Sequence, residues 1–115
     1  MNKRIALLAA PLALAVCLPV HAAGDANAGK TKAATCQACH GPDGNSVDPQ
    51  YPRLAGQYAD YLVQALKDYK SGARNNPIMK GFAAGLSEQD MEDLAAYFSR
   101  QRGLVVPEAP KTVQP

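Results

Sequence analysis

The chain has no tryptophan, and its five tyrosines and two phenylalanines make up only 6% of 115 residues. Large aromatic side chains therefore cannot fill the interior, although a hydrophobic fraction of 47% is that of a globular protein. Something other than side chains is expected to complete the core. An excess of one charge is also missing, since twelve basic against ten acidic groups leave only +2. Proteins that bind nucleic acid by neutralising phosphates need a basic excess, so that class is excluded. The length allows one domain and leaves no room for a second independent core.

No apolar run is long enough to cross a membrane. Ile5 to Val20 is 16 residues and contains Pro11 and Pro19, whereas a spanning helix needs about 20. Lys3 and Arg4 precede this run and small residues follow it, the layout of a secretory signal. A signal peptide is expected over residues 1–22, cleaved after Ala22 or Ala23. A retained anchor, or lipidation at Cys17 behind the bulky Val16, is the weaker reading. Histidine and cysteine are then scarce: after processing only Cys36, Cys39 and His40 remain, and basic and acidic groups balance.

Along the mature chain, Asp25 to Cys36 is rich in alanine and lysine and reads as a first helix capped by Asp25, with the small residues Ala26, Gly29 and Ala33 on its buried face. Residues 41–56 hold turn chemistry, Gly-Pro-Asp-Gly, Asp48-Pro49 and Tyr51-Pro52, and read as a loop. Gln57 to Ser71 recovers a 3.6-residue period through Tyr58, Tyr61, Leu62, Ala65, Leu66 and Tyr69, with Gly72 as its stop. Ala73 to Gly85 reads as a second irregular run. A last helix starts at Ser87, with Asp90 completing a capping box and Leu86 set to staple onto Met91, and it carries the seam Met91, Leu94, Ala95 and Phe98. Residues 104–115 form a Pro-rich tail. There is no repeat and no strand pattern.

Cys36-Gln37-Ala38-Cys39-His40 is a C-x-x-C-H, the pattern of covalent c-type haem attachment. Two thiols three apart at a helix end share one side, about 5 to 6 Å apart, and can add to the two vinyl groups of one porphyrin edge. His40, directly after, can turn its imidazole to the iron. A structural zinc site wants four ligands and the mature chain offers three. A redox dithiol expects a βαβ context that is absent. A haem also supplies the missing core.

An open sixth position would mean gas binding or catalysis, and a filled one electron transfer. With no second histidine, methionine is the remaining ligand type. Met91 lies on the apolar seam, where a packed core residue is expected. Met79 lies between Pro77 and Gly81, where an irregular loop would let a thioether be aimed at iron, so Met79 is the ligand candidate.

The order C-x-x-C-H-Gly, Tyr51-Pro52-Arg53-Leu54-Ala55-Gly56-Gln57, Asn76-Pro77-Ile78-Met79 and Leu94-Ala95-Ala96-Tyr97-Phe98 resembles class I cytochrome c, nearest the small bacterial periplasmic cytochromes and single domains of their dihaem relatives. The resemblance covers residues 24 to 102. It implies an all-α cytochrome c fold over 24–103, three to five helices packed around one covalently attached haem c, with the first and last helices crossing near Gly29 and Tyr97. It implies axial ligation by His40 and Met79, and a Pro52 carbonyl that accepts from the His40 ring. Leu54, Ile78 and Phe82 are candidates for apolar haem walls.

The expected function is a periplasmic single-electron carrier working between redox proteins such as membrane respiratory complexes. No substrate chemistry, no nucleic acid and no membrane contact except through partners are expected. The alternatives are a fixed haem subunit of an oxidase or dehydrogenase complex, and a haem sensor or peroxidase-like protein with a labile Met79. Lys67, Lys70, Arg74 and Lys80 against Glu88, Asp90, Glu92 and Asp93 suggest a charge dipole for transient docking.

Overall fold

The computed structural model describes residues 23–103, so the expected signal peptide and the Pro-rich tail lie outside the described residues. Five helices follow in order: α1 (Ala26–Lys32), α2 (Ala34–His40), α3 (Ala59–Ser71), α4 (Pro77–Ala84) and α5 (Glu88–Ser99). Among the described residues there is no strand. The all-α class and the helix number agree with expectation.

Asp25 caps α1, its carboxylate accepting from the backbone N–H of Asn27 at 2.8 Å and of Ala28 at 3.5 Å. The first helix was expected to run unbroken to Cys36, but the chain tightens at Ala33, where the Cys36 N–H reaches the Ala33 carbonyl at 2.9 Å in an i→i+3 contact. It then resumes as α2 and carries both cysteines and His40 to the Gly41 turn, at φ 88°. α3 ends as expected at Gly72, whose φ of 87° is the left-handed region that glycine enters without a Cβ penalty.

Residues 73–85 do not form one irregular run. Asn76 caps α4 by accepting from the Met79 N–H at 3.1 Å, and Pro77 occupies the first helical position. Asn followed by Pro is a helix start as readily as a turn, because the proline nitrogen falls where no hydrogen bond is needed. Met79 therefore sits in the first turn of a helix rather than in a loop.

α5 has the expected capping box, Ser87 N–H to Asp90 Oδ2 at 2.9 Å and Asp90 N–H to Ser87 Oγ at 3.1 Å. Its seam residues Met91, Leu94, Ala95 and Phe98 are all buried. α1 and α3 both pack on α5, and α4 packs on α3. Ala33, Leu62, Leu94, Ala95, Tyr97 and Phe98 form the buried cluster, with Leu54 and Leu66 half-buried against it. Burial of such apolar groups is worth roughly 25 cal/mol per Å².

The 41–58 connection is folded onto this frame. The Gly44 carbonyl accepts from Leu54 N–H at 2.8 Å, Gly56 N–H donates to the Phe98 carbonyl at 3.0 Å, and Tyr97 Oη donates to the Pro42 carbonyl at 3.2 Å. These bonds hold Pro52 and Leu54 over the end of α2.

Candidate functional site: a cavity beside the C-x-x-C-H helix

Between α2, the 50–57 segment, α3 and α4 lies a cavity of about 490 Å³ with mostly apolar walls. That volume falls within the range of cofactor pockets, about 300–1,000 Å³. Cys36, Cys39, His40, Pro52, Leu54, Ile78, Met79 and Phe82 all line it. These residues, up to 46 positions apart from Cys36 to Phe82, thus meet at one space. Ile78 and Phe82 are exposed to 61% and 49% while lining it, so they form its mouth rather than a closed wall.

His40 ends α2 and is 5% exposed. Its Nδ1 lies 2.8 Å from the Pro52 carbonyl oxygen, and a carbonyl only accepts, so Nδ1 carries a proton and, in the neutral ring, Nε2 keeps its lone pair. This is the orienting contact of a metal-binding histidine. The Tyr51 ring packs edge-on against the imidazole, 6.2 Å between centroids.

Neither cysteine is in a disulfide, and both are half-buried. Burial pushes the Cys36 thiol up, whereas a reactive redox dithiol requires a lowered one. Among the described residues no group of three or more His, Cys, Asp or Glu is placed to hold a metal ion. The donor set fits a haem instead: two thiols for the vinyl groups, one oriented imidazole and one thioether, around an apolar space. Met91, the other methionine among the described residues, is 2% exposed within the core and does not line the cavity.

The cavity also takes in polar residues not singled out as site residues from sequence. Tyr61, Tyr69 and Arg74 line it. Arg74 Nη1 donates to Tyr61 Oη at 3.3 Å, and its guanidinium lies 4.9 Å from the centre of the Tyr69 ring. The helical period puts both tyrosines on one side of α3, and Arg74 reads from sequence as one of the docking charges. A spacing of eight residues, two turns of helix, is the signal that aligns Tyr61 with Tyr69.

Part of the acidic end of the expected charge dipole is taken up in ion pairs. Lys32 pairs with Asp90 at 2.8 Å and with Asp93 at 2.5 Å, and Lys67 pairs with Glu88 at 3.4 Å. Asp93 is 3% exposed and accepts further from the Asp25 N–H at 2.8 Å and from Gln89 at 2.9 Å. The Lys32 ammonium, with the Asp25 N–H and Gln89 behind it, holds the Asp93 carboxyl below the usual range. Lys32 and the Ser87 cap do the same to Asp90.

The cytochrome c family profile matches residues 26–101. The chain is 49% identical over 102 residues to cytochrome c4 of Pseudomonas aeruginosa, covering 89% of this chain and 50% of that protein. It is 50% identical over 82 residues to cytochrome c-554(548) of Halomonas halodenitrificans, covering 69% of this chain and 99% of that one. Its structure is similar to that of reduced recombinant cytochrome c4 from Pseudomonas stutzeri, with a TM-score of 0.68 and 50% identity over 72% of this chain and 48% of that one. The chain spans about half the length of the cytochromes c4 it matches. Covalently attached haem c is its cofactor, and Cys36, Cys39 and His40 fit the attachment motif. A family profile covering the whole helical body, relatives at about half identity and a matching fold place this chain in the cytochrome c family.

Proposed function

We propose that the protein is a periplasmic single-electron carrier whose haem c is bound through thioethers to Cys36 and Cys39, with His40 Nε2 and the Met79 sulfur as axial ligands. The haem would supply a reversible Fe(II)/Fe(III) couple, and a neutral thioether ligand in apolar surroundings favours the reduced state. The chain's own residues do the rest. The Pro52 carbonyl holds His40 in the tautomer that leaves Nε2 unprotonated. Asn76 fixes the backbone of Met79 at the start of α4. Leu54 would provide apolar wall around the ring, with Ile78 and Phe82 at the cavity's mouth.

The observation that carries this reading is that the buried, Pro52-bonded His40 and Met79 line one cavity with both thiols. With His40 and Met79 both holding the haem iron, no iron site would be left for substrate, and the protein would pass electrons between a donor and an acceptor protein rather than act as an enzyme. Among the described residues no helix is long and apolar enough to cross a membrane, and membrane contact is made through partners. The test is the purified holoprotein: one haem per chain that survives acid-acetone extraction, a reversible one-electron titration, and resistance to carbon monoxide when reduced. Ready carbon monoxide binding by the native protein would replace the carrier reading with the sensor or peroxidase-like one.

A further inference from the structure

We propose that Tyr51 is a positioning residue for the histidine ligand: its ring sets the plane of the His40 imidazole, and its hydroxyl, donating to the Cys39 sulfur, keeps that ring in place. The proposal rests on the reading of His40 as an axial ligand of the haem.

The Pro52 carbonyl, 2.8 Å from Nδ1, fixes which nitrogen of His40 carries a proton, but carbonyl oxygens accept over a broad range of directions. The hydrogen bond alone therefore leaves the imidazole some freedom to turn about its bond to a metal. Tyr51 closes that freedom. Its ring stands edge-on to the imidazole, with the planes 66° apart and the centroids 6.2 Å apart, an arrangement that aromatic pairs favour. Charge on Cys39 and a hydrogen bond to its side chain raise the Tyr51 hydroxyl above its ordinary value of 10.0, so hydroxyl and sulfur are in contact. Once the sulfur is a thioether it is uncharged and still a weak acceptor.

The chain before Tyr51 holds it in this place. Ser46, 5% exposed, donates through Oγ to the Asp48 carbonyl at 3.0 Å and accepts from the Asp48 N–H at 3.2 Å. Asp48 in turn accepts from the Gln50 N–H through Oδ1 at 2.9 Å and from the Tyr51 N–H through its carbonyl at 3.1 Å. Pro52 then restricts the Tyr51 backbone to extended conformations. Consecutive residues thus grip the same imidazole, Tyr51 by its ring and Pro52 by its carbonyl. Tyr51 stands outside the buried cluster of Leu62, Leu94 and Phe98 and lines the cavity instead, so its ring serves the site rather than the core. Phenylalanine would supply the same edge, and the bond to Cys39 is what calls for tyrosine. Because Cys39 directly precedes His40, Tyr51 ties the attachment point and the ligand to a single side chain.

In low-spin Fe(III) the plane of an axial imidazole contributes to which d orbital holds the unpaired electron, and with it to how spin density is shared among the ring methyls of the haem. The experiment is therefore paramagnetic proton NMR of the oxidised holoprotein, for the native chain, Tyr51→Phe and Tyr51→Leu. Tyr51→Leu should change the order or spread of the methyl resonances, and Tyr51→Phe should move them in the same direction by less. A merely structural role would lower the melting temperature and leave that pattern unchanged. A native pattern in Tyr51→Leu overturns the proposal. So does a Tyr51→Phe variant displaced as far as Tyr51→Leu, since the ring would then contribute nothing. A Tyr51→Phe pattern superposable on the native one also overturns it, and this arm stands even where Tyr51→Leu fails to accumulate. A native spectrum without hyperfine-shifted His40 protons would instead overturn the axial reading on which the proposal rests.

Discussion

Gly29 in α1 lies so close to Asp93 in α5 that a Cβ built on the glycine would stand 1.9 Å from the Asp93 carbonyl oxygen, and 2.9 Å from Tyr97 Cβ. The two helices cross backbone to backbone, and the side chains of Lys32 and Asp93 then close over the crossing. Gly29→Ala makes a test whose sign is informative. Helix propensity alone would stabilise the variant by about 1 kcal/mol. Overpacking against backbone that cannot yield should outweigh it and leave a net loss of about 1–3 kcal/mol or more in chemical denaturation. A neutral or stabilised variant would mean that the crossing is looser than this.

The ion cluster at the same crossing predicts how stability responds to acid. The Asp93 and Asp90 carboxyls are both held below their ordinary value of 3.8. The unfolded chain therefore takes up protons before the folded one does. The stability they contribute is fully present above the ordinary carboxylate range and is lost as pH falls through and below about 4. Asp93→Asn should lower the melting temperature at pH 7, and the gap to the native protein should narrow steadily between pH 5 and pH 2. A gap that stays constant down to pH 2 would show that the loss comes from packing rather than from the ionised carboxylate.

Capping chemistry and the C-x-x-C-H could be read directly from the chain because they are local. Ser87 with Asp90, Asp25, and Gly72 each act within one turn of helix, and the structure has them where the residue types place them. The crossing near Gly29 and Tyr97 came from family resemblance rather than from helical period, and the close approach in three dimensions bears it out. α4 was missed because Asn76-Pro77, Gly81 and Gly85 count equally as turn signals. A Cβ at Gly81 would meet nothing within 4 Å, so that glycine reflects an open surface and not a break in the helix. Met79 was singled out for backbone freedom that a helical first turn does not have, yet it lines the cavity. Asp93 read as one of a surface run because charge gives no sign of a partner 61 positions away in the chain.

The scarcity of aromatic residues predicts that the attached cofactor is part of the core. With Cys36→Ala and Cys39→Ala together, neither thioether can form and the haem has only axial contacts to retain it. Buried polar His40 would then border an apolar space without its partner. The double variant should yield a largely unfolded, protease-sensitive chain, with far-ultraviolet circular dichroism well below that of the holoprotein. A stable, haem-free helical fold with a cooperative melt would mean that protein side chains suffice.

The two methionines separate ligand from packing. Met79 lines the cavity and is half-buried, whereas Met91 is 2% exposed among core side chains. The oxidised holoprotein should show the weak red absorption band of methionine bound to Fe(III). Met79→Ala should abolish it, lower the potential and admit carbon monoxide to the reduced iron, while the thioether bonds keep the haem in place. Met91→Leu, a volume-conserving core change, should keep the band and cost under about 1.5 kcal/mol. Asn76→Ala offers an intermediate case, because the side chain that fixes the Met79 backbone would be gone while the sulfur remained. It should cost about 1 kcal/mol as a lost helix cap and make the band vanish at lower temperature than in the native protein, with Asn76→Asp restoring it. Loss of the band in Met91→Leu, with its retention in Met79→Ala, would reverse the ligand assignment.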